Sequence, residues 1–291
     1  MKHNVGMVGI GLMGHGIASN IVRHGHALTV LDHPGNQPLD ALKAAGAAVV
    51  HSAAEVAARS DVVILVLTGS PQVEQVLTGA GGVLEGLRPG TVVIDCSTAI
   101  PSSTQRMAQA VQAAGGRFLD TPMTRTPKEA AEGRLNLLVG GDTALLDECR
   151  PLLRCFAENI AHAGPVGAGH SMKLLHNYVS LGMVTLLAEA AACAQRHGVA
   201  GAVFVDVLAQ GGGGGTALER MKPYLLAQDP SGLRFSIANA RKDLGYYNEM
   251  AADAGARKDV AAAVLATLDG ALAQAAPGAF MPELVALLGR G

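Results

Sequence analysis

Val5-Gly6-Met7-Val8-Gly9-Ile10-Gly11-Leu12-Met13-Gly14 decides the fold of the first half of the chain. Its apolar residues read as a short strand, Val5–Gly9. Glycines at 9, 11 and 14 then match G-x-G-x-x-G, and Ile17, Ile21 and Val22 follow at helical spacing. In a strand–turn–helix setting each glycine has a physical job. Gly9 makes the tight turn, Gly11 lets the backbone approach a pyrophosphate, and Gly14 lets the helix pack on the strand. The helix N-terminus then faces the phosphates. Leu12 and Met13 lie between these glycines and join them as expected cofactor-contacting residues.

Asp32 lies at the end of the next strand, 23 residues after Gly9. A carboxylate there accepts hydrogen bonds from the adenosine ribose hydroxyls and repels a 2′-phosphate. His33, Pro34 and Gly35 follow, with no arginine to receive such a phosphate. The expected cofactor is therefore NAD rather than NADP.

Strands are expected at Val5–Gly9, Ala27–Leu31, Ala47–Val50, Asp61–Leu67, Thr91–Asp95, Arg117–Asp120 and Leu135–Val139. Residues 62–67, VVILVL, are apolar on both faces. Such a strand belongs in a parallel sheet covered on both sides by helices. Gly25 and Gly115 stand where helices should end, and Ser52 with Glu55 forms an S-x-x-E start signal. This alternation predicts an α/β, doubly wound sheet. Past residue 164 no strand pattern remains. Ser171–His197 reads as one long helix ended by Gly198. Shorter helices are expected at Ala202–Ala209, Ala217–Ala227, Ile237–Ala254, Asp259–Ala275 and Pro282–Leu288. The Gly/Pro-rich stretch Ala163–Gly169 sets the boundary. It separates an N-terminal domain, 1–163, from an all-α C-terminal domain, 164–291, joined by the long helix. Gly211–Gly215 reads as a flexible joint.

The 291 residues carry 22 Lys plus Arg against 24 Asp plus Glu, a net charge of −2. So balanced a chain lacks the field that holds a nucleic-acid backbone. Hydrophobic residues at 49% and charged residues at 16% exclude disorder as the main state. Cys96, Cys149, Cys155 and Cys193 contain no C-x-x-C pair, so no zinc framework or disulfide set follows, and no metal is expected. Tyr178–Ala194 is apolar but contains Glu189 and is flanked by Lys173 and Arg196, as in a buried helix rather than a membrane span. Without a signal-peptide pattern, the expected location is the cytoplasm. The long apolar helices suit a homodimer or homotetramer.

The remaining informative residues are Asp95-Cys96-Ser97-Thr98, Asp120-Thr121-Pro122, Lys173 to Tyr178, and Lys242-Asp243. The first two groups fall at or past C-terminal strand ends, where open α/β sheets bind ligands. Lys173 and Asn177 are i and i+4, so they share a helix face, which also takes Ser180. Five ordered motifs, G-x-G-x-M-G, D-x-S-T, D-x-P, K-x-x-x-N and K-D, resemble the β-hydroxyacid dehydrogenase family over nearly the whole chain. That resemblance implies a Rossmann domain, a helical domain built on a long interdomain helix, and a catalytic lysine at Lys173. It implies that Lys242 approaches the nicotinamide side of the cofactor. Leu67 and Thr98 are added to the expected cofactor contacts, and Asn177 to the catalytic pair.

One stretch departs from the family pattern. Most members follow D-x-P with a small residue and S-G-G, whose backbone grips a substrate carboxylate. Here the run is Thr124-Arg125-Thr126, which is similar to the sulfolactaldehyde reductase branch. There the arginine contacts a sulfonate, supported by an Asn and a Ser on the long helix. The Ser matches Ser180, whereas the Asn is replaced by His176, and Thr124 and Pro127 also differ. The expected substrate contacts are Ser97, Thr124, Arg125, Thr126, His176 and Ser180. Arg125 offers a planar fork to an anionic group. Lys173 would stabilise a developing alkoxide and exchange its proton. A lysine's reference pKa of about 10.4 is too high for a neutral-pH base, so burial beside the cofactor has to lower it. The expected activity is hydride transfer between NAD(H) and a small anionic β-hydroxyacid or hydroxysulfonate. Sulfolactaldehyde is the leading substrate, with tartronate semialdehyde or 3-hydroxyisobutyrate as alternatives. Imine reduction and a non-catalytic NAD-binding role are the rival classes, and Lys173 speaks against both.

Overall fold

A computed structural model describes residues 2–290. The chain divides into two compact units, Met1–Lys173 and Leu174–Gly291.

The first unit is built on a sheet whose strands are β1 (Asn4–Val8), β2 (Ala27–Leu31), β3 (Ala48–Val50), β4 (Val62–Leu65), β5 (Val92–Asp95), β6 (Arg117–Asp120), β7 (Met123–Thr124), β8 (Leu135–Gly140) and β9 (Ala157–Gly164). Their order is β3-β2-β1-β4-β5-β6-β8-β7, with β9 on β8. Strands β1 to β6 pair in parallel, as the doubly apolar run predicts. All four residues of β4 are buried. Between the strands run helices α1 (Leu12–Arg23), α2 (Asp40–Ala44), α3 (Ala53–Ala58), α4 (Ser70–Thr78), α5 (Val83–Gly86), α6 (Pro101–Ala113), α7 (Pro127–Ala131) and α8 (Thr143–Leu153). Two apolar cores result. One gathers Ile17, Ile21, Leu146 and Phe156, the other Val56, Leu77, Val83 and Val111. Gly25 has φ +82°, a left-handed position that lets the chain leave α1 sharply toward β2.

The far edge of the sheet differs from a uniformly parallel one. Strand β8 runs antiparallel to β6 and β7, while β9 runs parallel to β8. The connection lengths account for this. Ten residues, 125–134, separate β7 from β8, too few for a parallel crossover of a dozen or more. Helix α8 gives the β8–β9 link its crossover. The sequence pattern did not mark β7, which has only two residues, or β9, most of whose residues are not buried.

Helix α9 (Ala168–Arg196) starts three residues before the expected Ser171. The second unit takes it from Leu174 onward and adds α10 (Gly201–Gln210), α11 (Thr216–Ala227), α12 (Ile237–Asp253), α13 (Asp259–Leu272) and α14 (Leu284–Leu288). Leu181, Val184, Ala188 and Ala191 of α9 enter its core with Met221, Leu244, Leu268 and Leu284. Helix α9 is long and apolar enough to cross a membrane by length and composition. Its buried face is nonetheless part of a protein core, the arrangement of an amphipathic core helix.

Candidate active site

The loop after β1 has the shape its glycines predict. A Cβ on Gly9 would stand 2.2 Å from the Val66 carbonyl oxygen, and one on Gly14 would stand 2.0 Å from that of Gly9. Around Gly11 there is open space: among the described residues, no neighbouring atom lies within 4 Å of where its Cβ would be. Gly11 also N-caps α1 without a side-chain hydrogen bond, and no acidic residue sits in the first turn. First-turn amides with neither cap nor counter-charge are a seat for an anion. These residues fit a dinucleotide pyrophosphate. Leu12 is exposed at the loop, while Met13 packs against the core beneath.

The segment after β2 is tied to this loop. Ile10 N–H donates to Asn36 Oδ1 (3.2 Å), Asn36 Nδ2 to the Leu31 carbonyl (2.8 Å), and Gln37 N–H to the Ile10 carbonyl (2.7 Å). Asp32 is exposed there, with His51 Nδ1 3.9 Å from its carboxylate. At the neighbouring strand ends Ser97 is buried, and its hydroxyl accepts the Leu67 N–H (3.0 Å). Thr98 is half-buried. Ser97 thus braces the β4 and β5 ends, a role the sequence did not show.

A buried polar cluster fixes the start of α9. Asp120, with 0% exposure at the end of β6, accepts the Gly167 and His170 N–H groups, each at 2.8 Å. A carboxylate from a distant strand thus caps the helix and complements its dipole. The His170 ring is fully buried. Its Nδ1 pairs with Thr104 Oγ1 (2.8 Å) and its Nε2 lies 3.2 Å from the Ser97 carbonyl oxygen. Asp95 Oδ1 accepts the Ser97 N–H, while Oδ2 finds no hydrogen-bond partner among the described residues and lies 3.9 Å from His170 Nε2. Burial lifts the Asp95 carboxyl above its ordinary value, opposed by His170 and Ser97. Burial also pushes the Cys96 thiol to about 12, which leaves it protonated and non-nucleophilic. His170 had no role in the sequence reading. Its signal is a histidine in the first helical turn, three residues before the lysine.

Lys173 comes next on that helix and donates from Nζ to the Met123 carbonyl (2.7 Å). Met123 begins the strap Thr124-Arg125-Thr126. Thr124 Oγ1 accepts from Asn136 (3.0 Å), and Thr126 N-caps α7 in a capping box with Glu129. Helix α7 is anchored on α1. Asn20 Nδ2 donates to the Ala130 carbonyl (2.9 Å), and a Cβ on Gly16 would meet Ala130 at 2.7 Å. Arg125 has φ +81°, a left-handed backbone that disfavours side chains. Its guanidinium pairs with the Glu158 carboxylate and donates to the Arg134 carbonyl. The sequence reading had this charge waiting for a ligand, whereas Glu158 on β9 already partners it.

In the second unit Asn177 is buried, and its Nδ2 donates to Asp243 Oδ2 (2.6 Å). Its Oδ1 is 3.0 Å from His176 Nδ1, so the imidazole donates there. The Ser180 hydroxyl donates to the Asn177 carbonyl (3.4 Å). Lys242 Nζ lies 3.2 Å from Asp243 Oδ1 and 5.5 Å from the Tyr246 ring centroid. Asn177, His176, Ser180, Lys242 and Asp243 thus form one polar group on α9 and α12.

The fold and its glycine loop define a dinucleotide-binding protein. The sequence profile of the NAD-binding domain of 6-phosphogluconate dehydrogenase matches residues 4–164, and that of the NAD-binding domain of NADP-dependent 3-hydroxyisobutyrate dehydrogenase matches residues 167–288. An NAD-dependent L-serine dehydrogenase of Pseudomonas aeruginosa is 34% identical over 85% of each chain. The 3-sulfolactaldehyde reductase of Escherichia coli is 32% identical over 83% of this chain and 80% of its own. A 3-hydroxyisobutyrate dehydrogenase of Mycobacterium tuberculosis, solved with L-serine, superposes with a TM-score of 0.88 at 28% identity, over 99% of both chains. The chain belongs to the 3-hydroxyisobutyrate dehydrogenase-like family of β-hydroxyacid dehydrogenases. It is an enzyme of that family and uses NAD(P).

Proposed function

We propose that this enzyme interconverts a small anionic β-hydroxyacid, or hydroxysulfonate, and its aldehyde with NAD(H), and that Lys173 handles the proton. The observation that carries the reading is the placement of Lys173. It sits just over one turn into a helix whose start is fixed by buried Asp120 at the C-terminal end of β6, and it donates to Met123 just past that strand, at the same end of the parallel strands where the Gly9 loop follows β1. When bound, the nicotinamide supplies or accepts the hydride. As an aldehyde is reduced, the Lys173 ammonium stabilises the developing oxyanion and gives it a proton; in oxidation the amine takes that proton back. Gly9, Gly11, Leu12, Met13 and Gly14 hold the pyrophosphate, Asp32 the adenosine ribose, and Leu67, Thr98 and Lys242 complete the cofactor contacts. Asp32 selects NAD over NADP.

The substrate's acidic group meets the strap Thr124–Thr126, with Ser97, His176 and Ser180 completing its contacts. Asn177, held by Asp243 and His176, orients the reacting groups. A sulfonate substrate is the reading that gives Arg125 a purpose. A side chain in left-handed backbone costs about 1–3 kcal/mol where glycine costs nothing, and Arg125 pairs with the Glu158 carboxylate, the kind of anionic group that an acidic substrate would have to replace. The similarity to a sulfolactaldehyde reductase favours the same substrate. Residues 1–163 act as the cofactor domain, and 164–291 as the substrate and oligomerisation domain. The working form is a cytoplasmic homodimer or homotetramer. Leu175, Val179, Met183 and Leu186 leave one face of α9 41–62% exposed, an apolar stripe for a second copy to cover. NADH oxidation with a panel of small aldehydes tests the reading. Turnover of sulfonate or carboxylate aldehydes supports it, and no turnover of any of them overturns it.

A further inference from the structure

We propose that His51 is a specificity-determining residue for the cofactor: charged, it pairs with Asp32 and admits a dinucleotide bearing a 2′-phosphate; neutral, it leaves Asp32 free to reject one. The inference rests on the reading of Asp32 as the ribose-binding carboxylate.

Sheet register brings the two side chains together. Leu31 is opposite Val50, and Asp32 N–H donates to the Val50 carbonyl at 2.8 Å. The chain therefore leaves the sheet edge with Asp32 and His51 side by side, His51 Nδ1 3.9 Å from an Asp32 carboxylate oxygen. The His51 backbone is fixed, since its N–H donates to the Glu55 carboxylate (3.0 Å) and the next residue, Ser52, N-caps α3. Its ring is 83% exposed and free to reach a ligand at the ribose edge.

The charged neighbours do not offer the same service. The Glu55 carboxyl is held below its usual range, first by the His51 N–H bond and further by Ser52, by the Arg59 charge and by the His51 ring itself, so Glu55 is a second carboxylate that acts on that ring, present alike in all the variants compared below. His33 follows Asp32 directly, but its Nδ1 accepts the Gly35 N–H (3.0 Å). Adding a proton at that nitrogen forfeits the bond. His51 Nδ1 instead faces a carboxylate oxygen, and a proton there gains an ion pair. Histidine is the side chain that changes charge within pH 5–8. A 2′-phosphate placed beside Asp32 meets one negative charge at high pH. At low pH it meets a neutralised pair with a cationic ring at its edge.

The test is calorimetric titration of NAD⁺ and NADP⁺ into the whole enzyme at about pH 8 and about pH 6, for the wild type, His51→Gln and His33→Gln. An exposed pair of this kind is worth up to about 1 kcal/mol, or roughly fivefold. The ratio Kd(NADP⁺)/Kd(NAD⁺) should fall about fivefold in the wild type and in His33→Gln, and by less than half of that fold in His51→Gln. The phosphate itself gains a proton near pH 6, so its own contribution appears in all three proteins. An equal fall in all three assigns the effect to the phosphate and overturns the proposal, as does no fall in the wild type. If wild-type enzyme binds NADP⁺ as tightly as NAD⁺ at about pH 8, the Asp32 reading itself has failed, which is separate from the slope.

Discussion

Replacing Asp120 with alanine removes the acceptor for two backbone N–H groups, those of Gly167 and His170, each bonded at 2.8 Å in a place with no solvent exposure. Leaving a buried donor unpaired costs about 1–3 kcal/mol each, and a lost helix cap about 1 kcal/mol on its own. These terms overlap, so the expected loss is about 3–5 kcal/mol. Asp120→Asn keeps one acceptor oxygen but turns an NH₂ toward a second donor, and should lose roughly half as much. A Cβ on Gly140 would lie 2.4 Å from Asp120 Oδ1, so there is little slack for a repacked side chain. The assay is urea unfolding by circular dichroism, reading the transition that NAD⁺ shifts to higher denaturant, since a ligand stabilises the unit that binds it. Because Lys173 lies three residues beyond His170, kcat should fall in the same order, alanine below asparagine below wild type. A loss under about 1 kcal/mol for Asp120→Ala would refute the argument that this carboxylate fixes the helix start.

Asp95→Asn should raise the melting temperature. Burial holds the Asp95 carboxyl above its unfolded value, so the native protein is favoured while that group is protonated and loses stability as pH rises toward the native value. The gain from asparagine should be present near neutral pH and vanish toward about pH 4, where the unfolded carboxyl is also protonated; a constant gain across that range contradicts the cause given. Gly14→Ala should weaken NAD⁺ binding at least about tenfold, because its Cβ meets the Gly9 carbonyl oxygen at 2.0 Å, and calorimetry reads the loss of about 1.4 kcal/mol. Light scattering should give at least twice the chain mass, with Val179→Glu plus Leu186→Glu shifting it toward the monomer. A wild-type monomer at micromolar concentration removes the role given to the α9 stripe.

The parallel half of the sheet was legible because an unbroken run such as 62–67 admits few other readings, and the Gly9–Gly14 loop because its spacing follows from steric need. The missing edge depended on information spread along the chain. Strand β7 is too short to show periodicity, and β9 exposes most of its residues, so neither carries an apolar pattern. Helix α7 did carry a signal, Thr126-Pro127-Lys128-Glu129, which a local reading can recover as a capping box. The contacts that matter most for the site span long separations. Asp120 meets the N-terminus of α9 across 50 residues, and Arg125 meets Glu158 across 33. A charge read in isolation looks available for a ligand, and only the fold reveals the carboxylate beside it.

The central claim is that Lys173 manages the substrate proton while the cofactor is held by other residues. The most direct measurement is kcat of Lys173→Met with the best aldehyde found in the panel and NADH, together with the Kd for NADH by calorimetry. General acid–base catalysis contributes about 10²–10⁴-fold, so kcat should fall by at least about 100-fold while the Kd changes less than about twofold. A variant that keeps more than about a tenth of wild-type kcat would contradict the account.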